Sequence, residues 1–370
     1  FMAPTEILAN QHFQTLNSLF NKIKQSPKIS FISGSVKLKP DELATSNIII
    51  GTHALFTHNL QFNKVGFVVI DEQHRFGVVQ RAQLKEKGIN PHLLTMTATP
   101  IPRTAALTIY GELDLSTLDE MPKNKAETKT YYVSRKKRKQ MYEWIKGKVK
   151  NENTQAFIIC PLIEESEHET MKSVKAATKE YEKLSGSIFS DLKIDLLHGK
   201  MKSKEKASVM QKFKDNKTQI LVSTSVVEVG IDIPNATIMV IEGAERYGLA
   251  QLHQLRGRIG RGSIKSYCLL YAEKENPKVT SRLKFFAKNN NGSKIAEYDL
   301  QHRGYGELFG TRQHGLFELK IARLNDFETI KKTKSAVSEI YKDINNDYKL
   351  LNKNLKERLN SYNIEKISRD

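Results

Sequence analysis

Seven short runs rich in Ile, Leu and Val punctuate the chain, at residues 48–50, 66–70, 92–96, 156–160, 194–197, 219–222 and 238–241. None alternates apolar with polar residues, as a strand with one wet face does. Each therefore predicts a strand buried on both faces, the condition of a parallel sheet. Between the runs, apolar residues recur at helical spacing over 6–20, 135–149, 169–184 and 203–214. Strands that alternate with helices make α/β units. The opening Phe1-Met2-Ala3-Pro4-Thr5 reads as the end of one more strand, so the chain is expected to be a piece of a longer protein.

A length of 370 residues suits two domains or more. A composition shift over 119–139 separates two α/β blocks; it carries Pro122 and the run Arg135-Lys136-Lys137-Arg138-Lys139, with a strand at Tyr131-Tyr132-Val133 between them. The basic run reads as a solvated helix face, with a DNA contact as the alternative. After about residue 273 the α/β pattern stops. A helix over 277–288, a turn over 289–292 and a helix over 293–300 make a hairpin, followed by a Gly-rich loop. From about 325 the chain is Lys/Asn/Glu-rich with Ile and Leu at helical spacing, which predicts a surface helix. The expected division is 1–122, 123–275, 276–324 and 325–370.

Charge narrows the partner. With 59 Lys and Arg against 41 Asp and Glu, the formal net charge is +18. That excess calls for a polyanion, of which nucleic acid is the commonest. A hydrophobic fraction of 39% is too high for a mostly disordered chain. No apolar run approaches the ~18 residues of a membrane span, and the N-terminus lacks signal-peptide regions, so no membrane partner is expected. Cys160 and Cys268, both in strand-like runs, are too few for a disulfide framework or a cysteine zinc site, which predicts a reducing cytoplasm. Trp144 and the tyrosines read as core packing rather than as a stacking platform for bases.

Three strings carry chemistry. Val68-Val69-Ile70-Asp71-Glu72-Gln73-His74 delivers two adjacent carboxylates at the C-terminal end of a buried strand, where parallel sheets bind ligands. There Asp71 can hold Mg²⁺ and Glu72 can orient a water that attacks a γ-phosphate; the alternative is an acid pair capping a strand. Residues 93–100 repeat the design with hydroxyls at Thr95, Thr97 and Thr99, which can bond to the carboxylates or cap a helix. Gln254-Leu255-Arg256-Gly257-Arg258-Ile259-Gly260-Arg261-Gly262 sets arginines among glycines that permit close backbone approach. Such guanidinium groups either stabilise a transferring phosphoryl group or hold nucleic-acid phosphates.

In order along the chain, Ala3-Pro4-Thr5-Glu6, Gly51-Thr52-His53-Ala54, Asp71-Glu72-Gln73-His74, Thr97-Ala98-Thr99-Pro100, Thr224-Ser225-Val226-Val227-Glu228-Val229-Gly230-Ile231-Asp232 and residues 254–261 resemble motifs Ia, Ib, II, III, V and VI of superfamily-two helicases. Residues 71–78, 97–104 and 245–258 resemble the RecG-type DNA helicases in particular, which remodel stalled replication forks. Residues 303–315, Arg303-Gly304-Tyr305-Gly306-Glu307-Leu308-Phe309-Gly310-Thr311-Arg312-Gln313-His314-Gly315, resemble the translocation motif that this family shares with the transcription-repair coupling factor.

The resemblance implies two RecA-like parallel-sheet domains, the first incomplete, then a helical hairpin with a hook-like loop. It implies an ATP- and Mg²⁺-dependent helicase acting on branched double-stranded DNA, including replication forks and Holliday junctions, in the cytoplasm at the nucleoid. By resemblance Asp71 holds Mg²⁺, Glu72 the attacking water, and Gln73 and His74 couple the site to the partner domain. Gly230, Asp232, Gln254, Arg258 and Arg261 serve the nucleotide, Arg261 as the finger. Thr5, Thr52, His198, Lys200 and Thr224 contact DNA, and Arg303, Gly306, Glu307, Arg312 and Gln313 serve translocation. For Thr5 and Thr52 a cap or strand-end hydrogen bond is the alternative. The phosphate-binding loop Gly-x-x-x-x-Gly-Lys-Ser/Thr is missing from the sequence, because Gly147-Lys148 and Gly199-Lys200 are followed by Val149 and Met201. The family places that loop and an N-terminal wedge domain upstream of the Ala-Pro-Thr-Glu segment, so this stretch alone is expected to be inactive. A coupling-factor motor and a non-catalytic DNA-binding remnant are the rival readings.

Overall fold

The uninterrupted apolar runs become strands, and every pairing between them is parallel. The computed structural model describes residues 1–56, 62, 64–73, 76, 91–98, 114, 116, 118, 120, 126–161, 167–224, 233–260, 262, 264–303, 329, 332, 333, 335–337 and 339. The chain splits into two compact units, Phe1–Ser116 with the chain from Leu300, and Thr117–Asp299.

In the first unit, β1 (Ile29–Ile32) pairs with β2 (Ile48–Gly51), and β3 (Phe67–Ile70) pairs with β4 (His92–Thr95). Met2 joins the two ribbons by parallel bridges to Gly51 and Ile70. Its N–H donates to Val69 O at 2.8 Å and its carbonyl accepts from Asp71 N at 2.9 Å. The opening residues thus hold a central place in the sheet, as their strand-like sequence predicts, and Met2 is 1% exposed. Helix α1 (Glu6–Phe20) follows at once, capped by Thr5, whose hydroxyl accepts from Leu8 N at 3.4 Å. A short helix α2 (Pro40–Thr45) precedes β2. Met2, Ile32, Leu55, Phe56, Val68, Ile70 and Phe76 form the core.

The second unit is built on a six-stranded sheet. Its strands are β5 (Thr128–Val133), β6 (Gln155–Ile159), β7 (Ile194–Leu197), β8 (Ile220–Ser223), β9 (Ala236–Ile241) and β10 (Ser266–Tyr271), in the spatial order β5-β10-β9-β6-β8-β7. The inner strands β6, β8 and β9 are buried at every residue. One face packs α3 (Arg138–Glu152) and α4 (Glu167–Ser185) against Ile158, Val222 and Val240. The other packs α5 (Ser203–Lys214), α6 (Leu249–Arg256), α7 (Pro277–Lys288) and α8 (Gly292–Arg303) against Phe157, Leu221, Met239 and Leu270. Helices on both faces of a parallel sheet explain why the inner strands are mostly apolar.

Helix α7 starts where sequence predicts, with Asn276 accepting from Val279 N at 2.8 Å and Pro277 at the first helical position. With α8 it forms the predicted hairpin, closed by stacked Phe285 and Tyr298 rings at 3.7 Å. Arg282 clamps α7 to the approach to α6, donating to Tyr247 O and Glu245 O at 2.8 Å each. The expected C-terminal surface helix is helical at its described positions, with Thr333 Oγ1 donating to Thr329 O at 2.7 Å; the rest of it lies outside the described residues. Among the described residues no helix is long and apolar enough to cross a membrane.

Three expectations fail. Strand β4 is not buried on both faces: His92 and Leu94 are exposed. The solvated-face reading holds for Arg135, Lys136, Lys137 and Lys139, which are exposed, but not for Arg138, which turns inward onto carboxylates, as described below. Trp144 is 37% exposed, edge-on to Tyr267 at 5.1 Å with Lys148 above both rings. It sits beside the buried stripe of α3, not in it.

Candidate nucleotide and nucleic-acid sites

Strand β3 ends in the acid pair, and the sheet fixes the turn from both sides. Asp71 N donates to Met2 O, Met96 N to Ile70 O at 2.8 Å, and Gln73 N to Met96 O at 3.0 Å. The segments carrying the two strings predicted to communicate, 71–74 and 95–99, therefore touch through backbone hydrogen bonds. Between those anchors Glu72 adopts a left-handed backbone, with φ of 50°. A bulky L-residue there costs about 1–3 kcal/mol and persists only where its surroundings enforce it. Glu72 N donates to Asp71 Oδ1 at 2.9 Å, and Ala98 N to Glu72 Oε2 at 3.4 Å. The Glu72 carboxylate thus lies within reach of the segment that carries Thr97.

Asp71 Oδ2 meets His12 Nε2 of α1 at 2.8 Å, a contact that sequence reasoning missed. Gln73 is 5% exposed, and its Nε2 has no partner among the described residues. Among those residues no group of three or more His, Cys, Asp or Glu could by itself hold a metal. Mg²⁺ asks less of a protein: one or two carboxylates complete its shell together with phosphate oxygens and waters. A hard carboxylate at the mouth of a parallel sheet fits that role, and Asp71 is the residue placed for it.

Thr5 is the cap of α1. Thr52 is 8% exposed, held because Gly51 lets the backbones close up: a Cβ at Gly51 would stand 2.5 Å from Ile32 Cγ2 and from Ile32 O. His74 lies outside the described residues.

In the second unit, β7 and β8 are neighbours, and the residues just past them meet. Thr224 N donates to Leu197 O at 3.3 Å, which sets Thr224 beside His198. Thr224 is 1% exposed, yet its Oγ1 lacks a partner among the described residues, as does the buried Nδ1 of His198. Burial first, then the Lys206 charge, lowers the His198 pKa below the ordinary histidine value. Lys200 is exposed on the same turn, and Lys206 Nζ donates to Gly199 O at 2.5 Å. Polar atoms without a partner among the described residues, one of them in the field of Lys206, suit an anionic oxygen that completes their hydrogen bonds.

Helix α6 carries Gln254 and ends at Arg256; Arg258 follows, 8% exposed. Gly260 takes φ of 71°, and a Cβ there would meet Thr128 Oγ1 at 2.5 Å, so the loop after Arg258 depends on glycine. Arg256 turns away from its neighbours into the interior. Gly230, Asp232, Arg261, Gly306, Glu307, Arg312 and Gln313 lie outside the described residues, as does the Arg303 side chain, although its backbone ends α8.

Where chain connections leave neighbouring strands in opposite directions, an open α/β sheet ordinarily has a ligand crevice. Here that point lies between β6 and β9, and it is filled. Arg138 Nη2 donates to Glu242 Oε2 at 2.9 Å and to Glu180 Oε1 at 2.8 Å, while Tyr142 Oη donates to Glu242 Oε1 at 2.5 Å. Tyr247 Oη closes the other side on Cys160 O at 2.9 Å. Burial raises the Glu242 pKa, against the pull of Arg138 and the Tyr142 hydrogen bond. Burial works to lower the Arg138 guanidinium, but Glu242, Tyr142 and Glu180 outweigh it and hold it charged.

Residues 1–108 match the DEAD/DEAH box helicase family and residues 133–263 the helicase conserved C-terminal domain, so both units are RecA-like helicase domains. An ATP-dependent DNA helicase RecG of Synechocystis is 48% identical over 330 residues, 87% of this chain and 39% of the relative. The same-named protein of Thermotoga maritima is 44% identical over 92% of this chain and 44% of its own length. The chain thus spans half or less of these relatives. Among solved structures, RecG bound to a three-way DNA junction superposes with a TM-score of 0.69 at 41% identity, over 90% of this chain and 43% of that one. The DNA-bound helicase MrfA, 17% identical with a TM-score of 0.61 over 79% of this chain and 44% of its own, shares the fold.

Proposed function

This chain is a RecG-type helicase sequence, and from that premise we propose that it is the motor portion of an ATP-dependent enzyme that remodels branched double-stranded DNA, reversing forks and migrating branches in recombination and repair. The observation that carries the motor reading is the Asp71-Glu72 turn, strained at Glu72 and bonded by backbone to the segment that begins at Met96. Asp71 would hold Mg²⁺, which supplies charge neutralisation at the phosphates. Glu72 orients and deprotonates the attacking water, and Gln73, with His74, passes the state of that site onward. Gln254, Arg258, Arg261, Gly230 and Asp232 serve the nucleotide. Thr224, His198 and Lys200 hold DNA phosphates, which positions duplex without reading its sequence; Thr52 does the same in the first unit, and Thr5, whose hydroxyl already accepts from Leu8 N as the α1 cap, contributes only as a donor. Arg303, Gly306, Glu307, Arg312 and Gln313 act in translocation. The functional divisions fall near residues 122, 275 and 324, and the site of action is the cytoplasm, on the nucleoid.

The test is ATP turnover by the protein that carries this chain, with a three-way fork or with linear duplex of equal length. Much stronger stimulation by the fork is expected. Equal stimulation would move the assignment to a duplex translocase of the coupling-factor kind, and no turnover on either would leave a DNA-binding remnant.

A further inference from the structure

Both oxygens of the Asp71 carboxylate are held by hydrogen bonds. Oδ1 accepts from Glu72 N at 2.9 Å, and Oδ2 lies 2.8 Å from His12 Nε2. An ionised carboxylate can only accept, so the imidazole carries its proton on Nε2 and donates it to Asp71. The His12 and Asp71 side chains are 27% and 18% exposed, which leaves the pair open to a ligand arriving from solvent. A carboxylate has about four acceptor positions. Glu72 N and His12 take one on each oxygen, so among the described residues each oxygen keeps a lone pair in hand.

The placement of His12 follows from α1. The helix starts four residues after Met2, the residue whose carbonyl accepts from Asp71 N at 2.9 Å, so α1 and the Asp71 turn take their positions from one residue. Leu8 and Ala9 are the buried residues of α1, and His12 lies four and three residues on, along the same stripe. Packing alone asks for an apolar side chain there. The Phe1 ring, 4.5 Å from the imidazole and tilted by 42°, supplies an apolar neighbour and limits how the imidazole can turn. Histidine adds what an apolar residue lacks, a donor that reaches the carboxylate.

We propose that His12 is a positioning residue for the metal: by holding Oδ2 it stops the Asp71 carboxylate from rotating, so that it meets Mg²⁺ in one orientation. Hydrogen bonds from outside the ligand set orient ligating carboxylates in this way. The proposal rests on the reading of Asp71 as the Mg²⁺ ligand of a helicase motor. His12 itself touches neither metal nor nucleotide.

The test compares His12→Phe, His12→Ala and His12→Gln in the protein that carries this chain. Phe keeps a ring against Phe1 without the donor, Ala favours the helix, and Gln returns an N–H at similar reach. Far-UV circular dichroism verifies that each variant is folded. The first readout is the affinity for a fluorescent, non-hydrolysable ATP analogue, measured with Mg²⁺ and again with the metal chelated. In His12→Phe and His12→Ala the gain in affinity that Mg²⁺ gives shrinks about tenfold or more, the loss usual for an outer-shell partner, while the metal-free affinity is unchanged. His12→Gln recovers most of the gain. In an Asp71→Asn background, His12→Phe costs nothing further. The second readout is the Mg²⁺ concentration that gives half-maximal fork-stimulated turnover, which rises by a similar factor and is offset by excess Mg²⁺. Equal weakening with and without metal would make His12 a purely structural contact, and an unchanged gain in His12→Phe would leave it no role at the metal; either overturns the proposal. A parent protein that gains nothing from Mg²⁺ overturns it too. A parent that gains from Mg²⁺ but turns over no ATP sinks the helicase reading alone, and His12 is then judged on the binding gain.

Discussion

Replacing Arg138 by Met removes a charge from the filled crevice while keeping a stem to pack against Tyr271, over whose ring the guanidinium carbon sits at 4.9 Å. The Glu242 side chain, 4% exposed, then keeps only the Tyr142 hydroxyl among the hydrogen-bond partners described for its carboxylate. Breaking a buried pair by removing one partner costs about 3–5 kcal/mol. Arg138 and Glu180 are themselves 24% and 17% exposed, so the lower end, about 3 kcal/mol, is expected. For a unit of this size that lowers the melting temperature by about 6–12 °C. The chain's one tryptophan, Trp144, lies in this unit, so its fluorescence reports the unit's unfolding selectively. The pH dependence has a definite sign. Burial already raises the Glu242 carboxyl, and loss of the guanidinium raises it further. A carboxyl raised in the folded state binds more protons there than in the unfolded chain, so the variant loses stability as pH rises and regains it as pH falls. The gap to the parent protein should therefore shrink between pH 7 and pH 5, and adding Glu242→Gln should close most of it at pH 7. A loss under about 1 kcal/mol, or one equal at both pH values, refutes the reasoning.

Two further outcomes follow from the sites. Glu72→Gln in the protein that carries this chain should leave ATP and fork binding intact and cut turnover by about 10²–10⁴, the usual loss for a general base; retained turnover removes Glu72 from that role. Gly260→Ala should destabilise the second unit by about 1–3 kcal/mol, because alanine meets Thr128 Oγ1 and must hold a left-handed backbone. The Trp144 unfolding curve measures it, and an unshifted midpoint would contradict the stated clash.

The sequence was most legible where one physical demand acted alone. All seven apolar runs became strands, and those at the centre of the six-stranded sheet are buried on both faces, whereas β3 and β4 leave Phe67, His92 and Leu94 exposed. Helices 6–20, 203–214 and 277–288 coincide with their predicted spans, helped by Thr5 and by Asn276-Pro277 at two of the starts. By contrast β1, Ile29-Ser30-Phe31-Ile32, is four residues in a Lys- and Ser-rich stretch, and only its neighbours make it a strand. Arg138 was hidden inside five consecutive basic residues, yet the signal existed. Residues 138, 142, 145 and 149 follow one helical stripe, and Tyr142, Ile145 and Val149 are buried. Trp144 falls off that stripe, which is why it is half-exposed. In the candidate sites, residue types and order were readable, because the chemistry demands them. The left-handed turn at Glu72, the His12 contact and the inward face of Arg256 were not, because each arises from segments brought together only by folding.

The closed crevice between β6 and β9 has a practical consequence for anyone seeking a small-molecule inhibitor. The place where a parallel sheet usually welcomes a ligand is already occupied by side chains that satisfy one another. A compound entering there must displace the Arg138 guanidinium and leave Glu242 unmatched, surrendering some 3 kcal/mol before its first favourable contact. Screening the isolated second unit at that position should return few genuine hits.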